Sequence, residues 1–466
     1  MTEIQLSFQF SEISHHTITA EQLAELLVRD LDFHDQNSGY LSHNFHSFPA
    51  KFPPQLPRLF INSLTKPGEL VLDPMQGSGT TILEAMLANR RAIGLDIDPL
   101  ALLITKVKTT PLDPIQVLGI AKDIQKKAYV TFTHRPNDLI EALESRWDQE
   151  TKKFVDYWFE TDTQFALMAL LLEIDKLKNP ALKNFFRLAF SSIIITKTGG
   201  VTLALDLAHT RPHRAKVVYS ESGELLEGND YKDKPVPNLK YATKTLRSCF
   251  DEFEKRVQNN VKGLLNHKDV DKPGHIFSGN AQDLPLLSES IDLIVTSPPY
   301  ASNAIDYMRA HKFSLVWLGH SIQDLSIKRS EYIGGEVVTE LVLENLPAFT
   351  TQIVSEITRL DPKKGRVLQR YYSEMARVLR EMFRVLKPGK ASIVVVGSSI
   401  MRNRDTETQN CLAEIGRSVG FEVPGIGVRN LDRNRRMLPA GQKVDQNSQI
   451  QKRMHEEFVI GFYKPN

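Results

Sequence analysis

Four consecutive residues, Ser297-Pro298-Pro299-Tyr300, combine a hydroxyl, two rings that cannot donate to a β-ladder and an aromatic face. They close the apolar run Ile291-Asp292-Leu293-Ile294-Val295-Thr296, which is short, rich in Ile and Val, and predicts a buried parallel strand. The prolines make its end a rigid, exposed lip at the carboxyl edge of a sheet, where open α/β sheets place their chemistry. A second stretch, Met75-Gln76-Gly77-Ser78-Gly79-Thr80-Thr81, follows the predicted strand Glu69-Leu70-Val71-Leu72-Asp73-Pro74. Its glycines let the backbone approach a ligand that a Cβ would exclude. Thr80 or Thr81 is expected to cap a helix over residues 82–89 whose first N–H groups are free. The third is Asp96, which ends the predicted strand Arg91-Ala92-Ile93-Gly94-Leu95-Asp96 and precedes Ile97-Asp98-Pro99. An acid there is placed to take ribose hydroxyls.

Strand, glycine-bearing turn, helix and a strand ending in Asp make the nucleotide-binding half of a doubly wound sheet. No Lys follows Gly79, so a phosphate loop of the kinase or ATPase kind is not supported, and a dinucleotide site would need a third glycine. On their own, Gly77 and Gly79 also suit a plain tight turn.

The elements that must hold these residues follow from the rest of the chain. Before the glycine turn lies His43-Asn44-Phe45-His46-Ser47-Phe48-Pro49-Ala50-Lys51-Phe52-Pro53-Pro54-Gln55-Leu56-Pro57-Arg58. Its prolines predict a ledge laid over the sheet, with a helix only from about Leu59 to Leu64. Residues 20–28 predict an amphipathic helix. Between 111 and 274 the sheet rhythm stops, and helical spacing recurs over 115–130, 138–147, 152–159, 164–178, 180–195 and 241–265, with a polar loop over 199–238. The sheet resumes over 275–285, then 291–296, and helix 307–318 follows. A second, more polar insertion spans 319–372. Helix 370–385 is expected to stop at Lys387-Pro388-Gly389-Lys390, and strand 391–396, helix 411–419 and strand 457–463 complete the chain.

At 466 residues the chain is too long for one ordinary core, so a catalytic domain with inserted subdomains is expected. The net charge of +2 is close to neutral, so any basic surface must be local. Cys249 and Cys411 stand in unrelated contexts, which argues against a disulfide framework or a thiolate metal site and fits a reducing cytoplasm. Residues 1–10 lack the basic flank of a secretory signal. The longest apolar stretch, 165–172, is shorter than the ~20 residues that cross a bilayer. No membrane partner is expected.

Taken together, Asp73-Pro74, Gly77-Ser78-Gly79-Thr80-Thr81, Asp96, Asp283 and Ser297-Pro298-Pro299-Tyr300 resemble the S-adenosylmethionine-dependent DNA amino-methyltransferases, which modify the exocyclic nitrogen of cytosine or adenine. The resemblance covers about residues 41–110, 275–315 and 375–466. It implies an α/β, doubly wound, Rossmann-like class I methyltransferase sheet with helical insertions. Asp73, Pro74 and the loop Gly77, Ser78, Gly79 and Thr80 would cradle the methionine part of S-adenosyl-L-methionine. Asp96 with Ile97 would take its ribose and the Asp283 segment its adenine, while Lys51 and Phe52 of the ledge close over it.

In this reading Ser297, Pro298, Pro299 and Tyr300 are catalytic. An exocyclic amino nitrogen shares its lone pair with the ring and is a poor nucleophile. The Ser297 hydroxyl and the Pro298 carbonyl each accept an amino hydrogen, which favours a tetrahedral nitrogen aimed at the methyl group. Tyr300 offers a flat face to a base that has left the stack. No Pro-Cys pair is present, which argues against methylation of a cytosine ring carbon. Ser at the first motif position is commoner among enzymes resembling the cytosine amino type, so cytosine N4 is favoured over adenine N6.

The implied partners are double-stranded DNA and, in a restriction-modification setting, a nuclease. The cluster His209, Arg211, His213, Arg214 and Lys216 in the first insertion, and Arg429, Arg433, Arg435 and Arg436 further on, are the candidate DNA contacts; each also suits a solvated charged face. The order of the motifs makes residues 112–274 the candidate target-recognition region. His43 and His46 lack a third ligand at useful spacing, so no metal is expected. Two other readings keep part of this pattern: an RNA amino-methyltransferase acting on tRNA, and an inactive DNA-binding scaffold subunit.

Overall fold

The protein is described here by a computed structural model that covers residues 16–48, 51–207, 212–231, 239–266, 270, 273–301, 306–335, 343–431 and 455–466. Seven strands form one sheet: β1 (Leu70–Asp73), β2 (Arg91–Asp96), β3 (His275–Ser278), β4 (Ile291–Thr296), β5 (Leu386–Val396), β6 (Glu422–Asn430) and β7 (Glu456–Lys464). Their order is β6-β7-β5-β4-β1-β2-β3. β7 runs antiparallel to both neighbours, and every other pair is parallel. The doubly wound class expected from the sequence is the one observed. From β1 the chain winds outward through β2 to β3 and then returns to the opposite side of β1, where Leu72 pairs with Ile294 of β4. That reversal opens a crevice beyond the carboxyl ends of β1 and β4.

The helices are α1 (Ala20–Leu27), α2 (Gln55–Leu64), α3 (Thr80–Leu87) and α4 (Pro99–Lys108), then α5 (Pro114–His134), α6 (Pro136–Arg146), α7 (Gln149–Trp158), α8 (Thr161–Asp175), α9 (Pro180–Ile194) and α10 (Cys249–Val261) in the first insertion. After β4 come α11 (Tyr307–Leu315), α12 (Ile322–Ser330), α13 (Ala348–Leu360), α14 (Pro362–Val385) and α15 (Thr408–Val419). Alternation along the strands sets the layers. Val71, Leu293, Val295 and Ile393 face Leu23, Leu56, Phe60 and Leu83 of α1 to α3. Leu70, Leu72, Ile294 and Val394 face Tyr371, Met375, Leu379 and Leu412 of α14 and α15. Among the described residues no helix is long and apolar enough to cross a membrane.

The first insertion is not a detachable lobe. Its Leu167, Phe185 and Phe190 share one buried cluster with Leu100 and Ile104 of α4 and with Phe313 and Trp317 at and beyond α11. Its expected polar loop holds two strands of a small sheet, Val217–Tyr219 and Leu225–Glu227, and the third, Thr243–Thr245, falls where a helix was expected.

Several local expectations are corrected. α2 begins at Gln55 rather than near Leu59, because Pro57 falls in the first turn, where its missing N–H has no intrahelical partner to lose. Neither Thr80 nor Thr81 caps α3; Gly79, left-handed at φ +71, is the capping residue. The helix expected over 241–265 is only Cys249–Val261, capped by Ser248. Lys387-Pro388-Gly389-Lys390 ends α14 as expected but already belongs to β5, since Leu386 pairs with Ile291. β6 escaped prediction because Pro424, Gly425 and Gly427 break its pattern, and its pairing with β7 is irregular between Glu422 and Gly425.

At the amino edge of the sheet the Lys390 ammonium, 3% exposed, sits 2.6 Å from Glu69 and 3.5 Å from Asp292. Asp292 also accepts from Lys387 at 2.7 Å and from the Leu70 N–H at 2.9 Å. Lys390→Met leaves the buried Glu69 carboxylate without its bonded cation, Asp292 keeping Lys387, and should cost about 3–5 kcal/mol of unfolding free energy. Urea denaturation measures it; a loss under about 1 kcal/mol refutes the role.

Candidate active site

The crevice beyond β1 and β4 is a cleft of about 900 Å³, its open mouth included. That is room for a nucleoside with an amino-acid tail. β1 delivers Asp73 to its floor, and the turn Met75 to Ser78 forms one wall. The turn depends on glycine at defined points. Gln76 folds over β2, and a Cβ on Gly94 would lie 1.9 Å from its Oε1. A Cβ on Gly79 would lie 2.4 Å from Cγ2 of Thr105, besides straining its left-handed backbone.

From beneath, α4 pins the turn: Lys108 Nζ donates to the Ser78 carbonyl at 2.6 Å and Thr105 Oγ1 to the Gly77 carbonyl at 3.3 Å. From the side, the Asp96 carboxylate accepts the Gly77 N–H and the Asp98 N–H, each at 2.9 Å. Each oxygen keeps a further lone pair for a ligand hydroxyl. Burial, with the charge of Asp98 adding to it, pushes the Asp96 carboxyl up to about 7. Burial likewise lifts Asp73 to about 6. Asp98 behaves oppositely: burial alone would raise it, but His311 at 2.5 Å holds it below the usual carboxylate range.

The ledge covers the cleft from the other side. Glu84 of α3, fully enclosed, accepts from Tyr40 at 2.6 Å, His43 at 2.8 Å and Arg58 at 2.7 Å, and so fastens both ends of the ledge to the helix after the turn. Phe48 stacks on Tyr307 of α11, 5.2 Å between ring centres. His43 thus bonds Glu84, and His46 bonds Ser191 of α9 at 3.0 Å. Burial lowers both imidazoles, to about 4 and about 3, so they are neutral at physiological pH. Among the described residues no group of three or more His, Cys, Asp or Glu could hold a metal.

Of the residues singled out in the sequence, Lys51, Phe52, Asp73, Pro74, Gly77, Ser78, Thr80, Asp96, Ile97, Ser297 and Pro299 line this one cleft. Gly79 turns the chain without lining it, and Pro298 is buried behind the lip. Asp283 itself stands outside the lining, its N–H closing a turn onto the Asn280 carbonyl, while Gly279, Asn280 and Ala281 of the same segment form part of the wall. Tyr300 lies outside the lining, partly buried against the apolar layer under α14, with its hydroxyl 2.8 Å from Glu457 of β7.

Sequence reasoning missed Phe48, Met75, Gln76, Asp98, Tyr307 and the segment Glu331, Tyr332 and Ile333 of the second insertion, all of which line the cleft. The last three are held by a buried pair on α14. Arg370 bonds Glu374 at 2.8 Å and donates to the carbonyls of Ser330 and Gly335, while Glu374 accepts the Gly334 N–H at 2.7 Å. The polar composition of 319–365 gave no sign of this.

The basic candidates fare unevenly. Arg214 is engaged within the insertion, bonding the Tyr157 carbonyl at 2.7 Å and Glu227 at 2.9 Å. Lys216 sits over the Tyr231 ring, and His213 is 3.6 Å from Asp206. Arg429 is buried against Glu457. His209, Arg211, Arg433, Arg435 and Arg436 lie outside the described residues.

Comparison with known proteins agrees with this geometry. Residues 13–106 match the family model described as DNA methylase, of the N6/N4 type. The chain is similar to the type II methyltransferase M.MvaI of Kocuria varians, 26% identical over 409 residues that cover 83% of each chain. It is similar to the type II methyltransferase M.AvaI of Anabaena variabilis, 23% identical over 87% of this chain and 84% of that protein. It is 35% identical to the type II methyltransferase M.MjaII of Methanocaldococcus jannaschii over 327 residues, 58% of this chain and 61% of that one.

An ionised Asp96 accepts ligand hydroxyls better than a protonated one, and its folded pKa of about 7 puts that change near neutrality. Binding of S-adenosylmethionine should therefore tighten as pH rises from 6 to 8, by up to about tenfold per unit below the pKa. Calorimetric titration at three pH values measures it, with Asp96→Asn expected to remove that component. Identical slopes for the two proteins refute the assignment.

Proposed function

From the membership of this chain in the family of DNA amino-methyltransferases, we infer that it methylates the exocyclic nitrogen of a base extruded from double-stranded DNA, cytosine N4 in preference to adenine N6. The observation that carries the reading is the shared cleft: Ser297 and Pro299 of the catalytic lip and Asp73, Gly77 and Asp96 of the nucleotide half line one space.

The cofactor is S-adenosyl-L-methionine, and the residues present fit it. The cleft is lined by Asp73, Asp96 and Glu331 and suits a ligand with positive charge and free hydroxyls. Gly77, at φ +47, leaves a space beside Phe48 that a Cβ would fill, 3.2 Å from the ring. Asp96 would hold the ribose, the turn Gly77 to Ser78 and Asp73 the methionine part, and Ile97 and Ile333 offer apolar surface for the base. Bound there, the cofactor supplies an activated methyl group.

The chain's own residues do the rest. Ser297 Oγ and the Pro298 carbonyl accept the amino hydrogens, drawing the lone pair out of the ring and directing it across the cleft. The double proline keeps both acceptors from moving during transfer, and such alignment contributes up to ~7–11 kcal/mol in model reactions. Phe48, Tyr307 and Tyr332 close the sides against water. Base specificity rests on Ser297 at the first motif position. Reading of the DNA sequence is assigned to the first insertion, whose core is continuous with α11 beside the lip.

Single-molecule sequencing of DNA from cells producing this chain should report N4-methylcytosine at one recurring sequence. N6-methyladenine would overturn the base, and methyl uptake into tRNA alone would overturn the substrate. Ser297→Ala should lower kcat by roughly a hundredfold in tritiated methyl transfer, with S-adenosylmethionine affinity little changed.

A further inference from the structure

We propose that Glu457 and Arg429 are positioning residues for methyl transfer, fixing the plane of the Tyr300 ring so that it presents a set face to the extruded base. The proposal rests on the reading of Ser297 to Tyr300 as the transfer motif.

The connection arises from the antiparallel strand of the seven-stranded sheet. Because β7 runs against its neighbours, it starts where β5 ends: Phe458 pairs with Val396, so Glu457 stands just past the carboxyl edge, beside the lip. There Glu457 Oε1 accepts the Tyr300 hydroxyl at 2.8 Å. Glu457 Oε2 accepts from Nη1 of Arg429, which is its cross-strand partner in the β6–β7 register. Arg429 is 3% exposed, and its Nε is buried without a hydrogen-bond partner among the described residues.

One charged group is thus buried and two polar ones partly buried at a place where phenylalanine and two apolar residues would fill the same volume. A buried ion pair contributes little net stability over well-packed apolar side chains. What the chain Arg429–Glu457–Tyr300 supplies is direction. An aromatic ring held only by apolar neighbours can swing about χ1 and turn about χ2. The bond to Glu457 anchors the tip of the Tyr300 ring, which lies on the χ2 axis, and because a phenol O–H lies in the plane of its ring it favours the orientation whose plane holds the Glu457 oxygen. Burial, with the charge of Glu457, holds the phenol well above its usual range, so the hydroxyl remains a donor. Stacking on a base that has left the helix contributes only ~1–3 kcal/mol, and a ring that turns freely forfeits part of it.

Tyr300→Phe keeps the ring and removes the tether; Glu457→Ala removes the acceptor; Glu457→Gln keeps an acceptor oxygen without the charge. Each is assayed as the full chain, with tritiated S-adenosylmethionine and unmethylated plasmid DNA as acceptor. Tyr300→Phe and Glu457→Ala should lower kcat roughly ten- to a hundredfold, the loss of one hydrogen bond to a charged group. KM for DNA and Kd for the cofactor should stay within about threefold, and Glu457→Gln should recover most of kcat. Wild-type kcat in Tyr300→Phe overturns the proposal, as does a Glu457→Gln variant no better than Glu457→Ala. Wild-type protein that binds the cofactor but methylates no DNA overturns the proposed function, and this assignment with it.

Discussion

Everything at the cleft depends on one pairing, that of β1 with β4. Leu72 and Ile294 are neighbours in the sheet, so the loops after Asp73 and after Thr296 must leave side by side. A direct bond reinforces this: Thr81 Oγ1, at the start of α3, donates to the Val295 carbonyl at 3.1 Å. The remaining elements act as braces. α4 holds the glycine turn from below, the ledge fastened at Glu84 covers it, and α14 keeps residues 330–335 against the far wall. Each brace fixes a backbone segment rather than a single reactive atom, which suits a reaction whose chief demand is alignment.

The two edges of the sheet treat charge in opposite ways. At the amino edge the carboxylates of Glu69 and Asp292 share Lys390 and Lys387. At the carboxyl edge Asp73 is enclosed and Asp96 partly so, with no cation bonded to either among the described residues, and burial raises both. A carboxyl raised on folding binds more protons in the native than in the unfolded state. Stability on this account is greatest below the ordinary Asp range and falls as pH rises towards about 6 and about 7. These two carboxyls thereby destabilise the fold near neutrality, and a cationic ligand offsets that cost on binding.

Much of this was legible in the sequence because the relevant signals are local. Short apolar runs marked β1, β2 and β4, and the acids and prolines at their ends marked the carboxyl edge. Misses came where tertiary contact outweighs local pattern. β6 carries Pro424, Gly425 and Gly427 and becomes a strand only because β7 offers a full ladder. Glu331, Tyr332 and Ile333 reach the cleft because Arg370, 35 positions from Gly335, holds their loop. Asp283 lies in a segment that does reach the cleft, but the turn closed by its N–H brings Asn280 and Ala281 to the wall rather than its own side chain. The charge of Arg214 suggested an outward contact, yet Glu227 and Tyr157 occupy it.

The separation of β1 from β4 also bears on how the molecule is made. Leu70 meets Asp292, 222 positions later, across a stretch that includes the whole first insertion. At ribosomal speeds of about 5–20 residues per second, β1 leaves the exit tunnel roughly ten to forty-five seconds before its central neighbour. During that interval one apolar flank of a β1–β2 ribbon stays uncovered, an invitation to edge-to-edge aggregation. Helices α5 to α9 emerge meanwhile, but the buried cluster they form takes in Leu100 and Ile104 of α4 and, among the described residues, none of β1 or β2. Val71 of β1 finds Phe60 and Leu83 at once, whereas Leu70 and Leu72 wait for Tyr371 and Leu379 of α14, so part of the oldest apolar surface is among the last to be covered, and lengthening that wait would harm yield before it touched the mature enzyme.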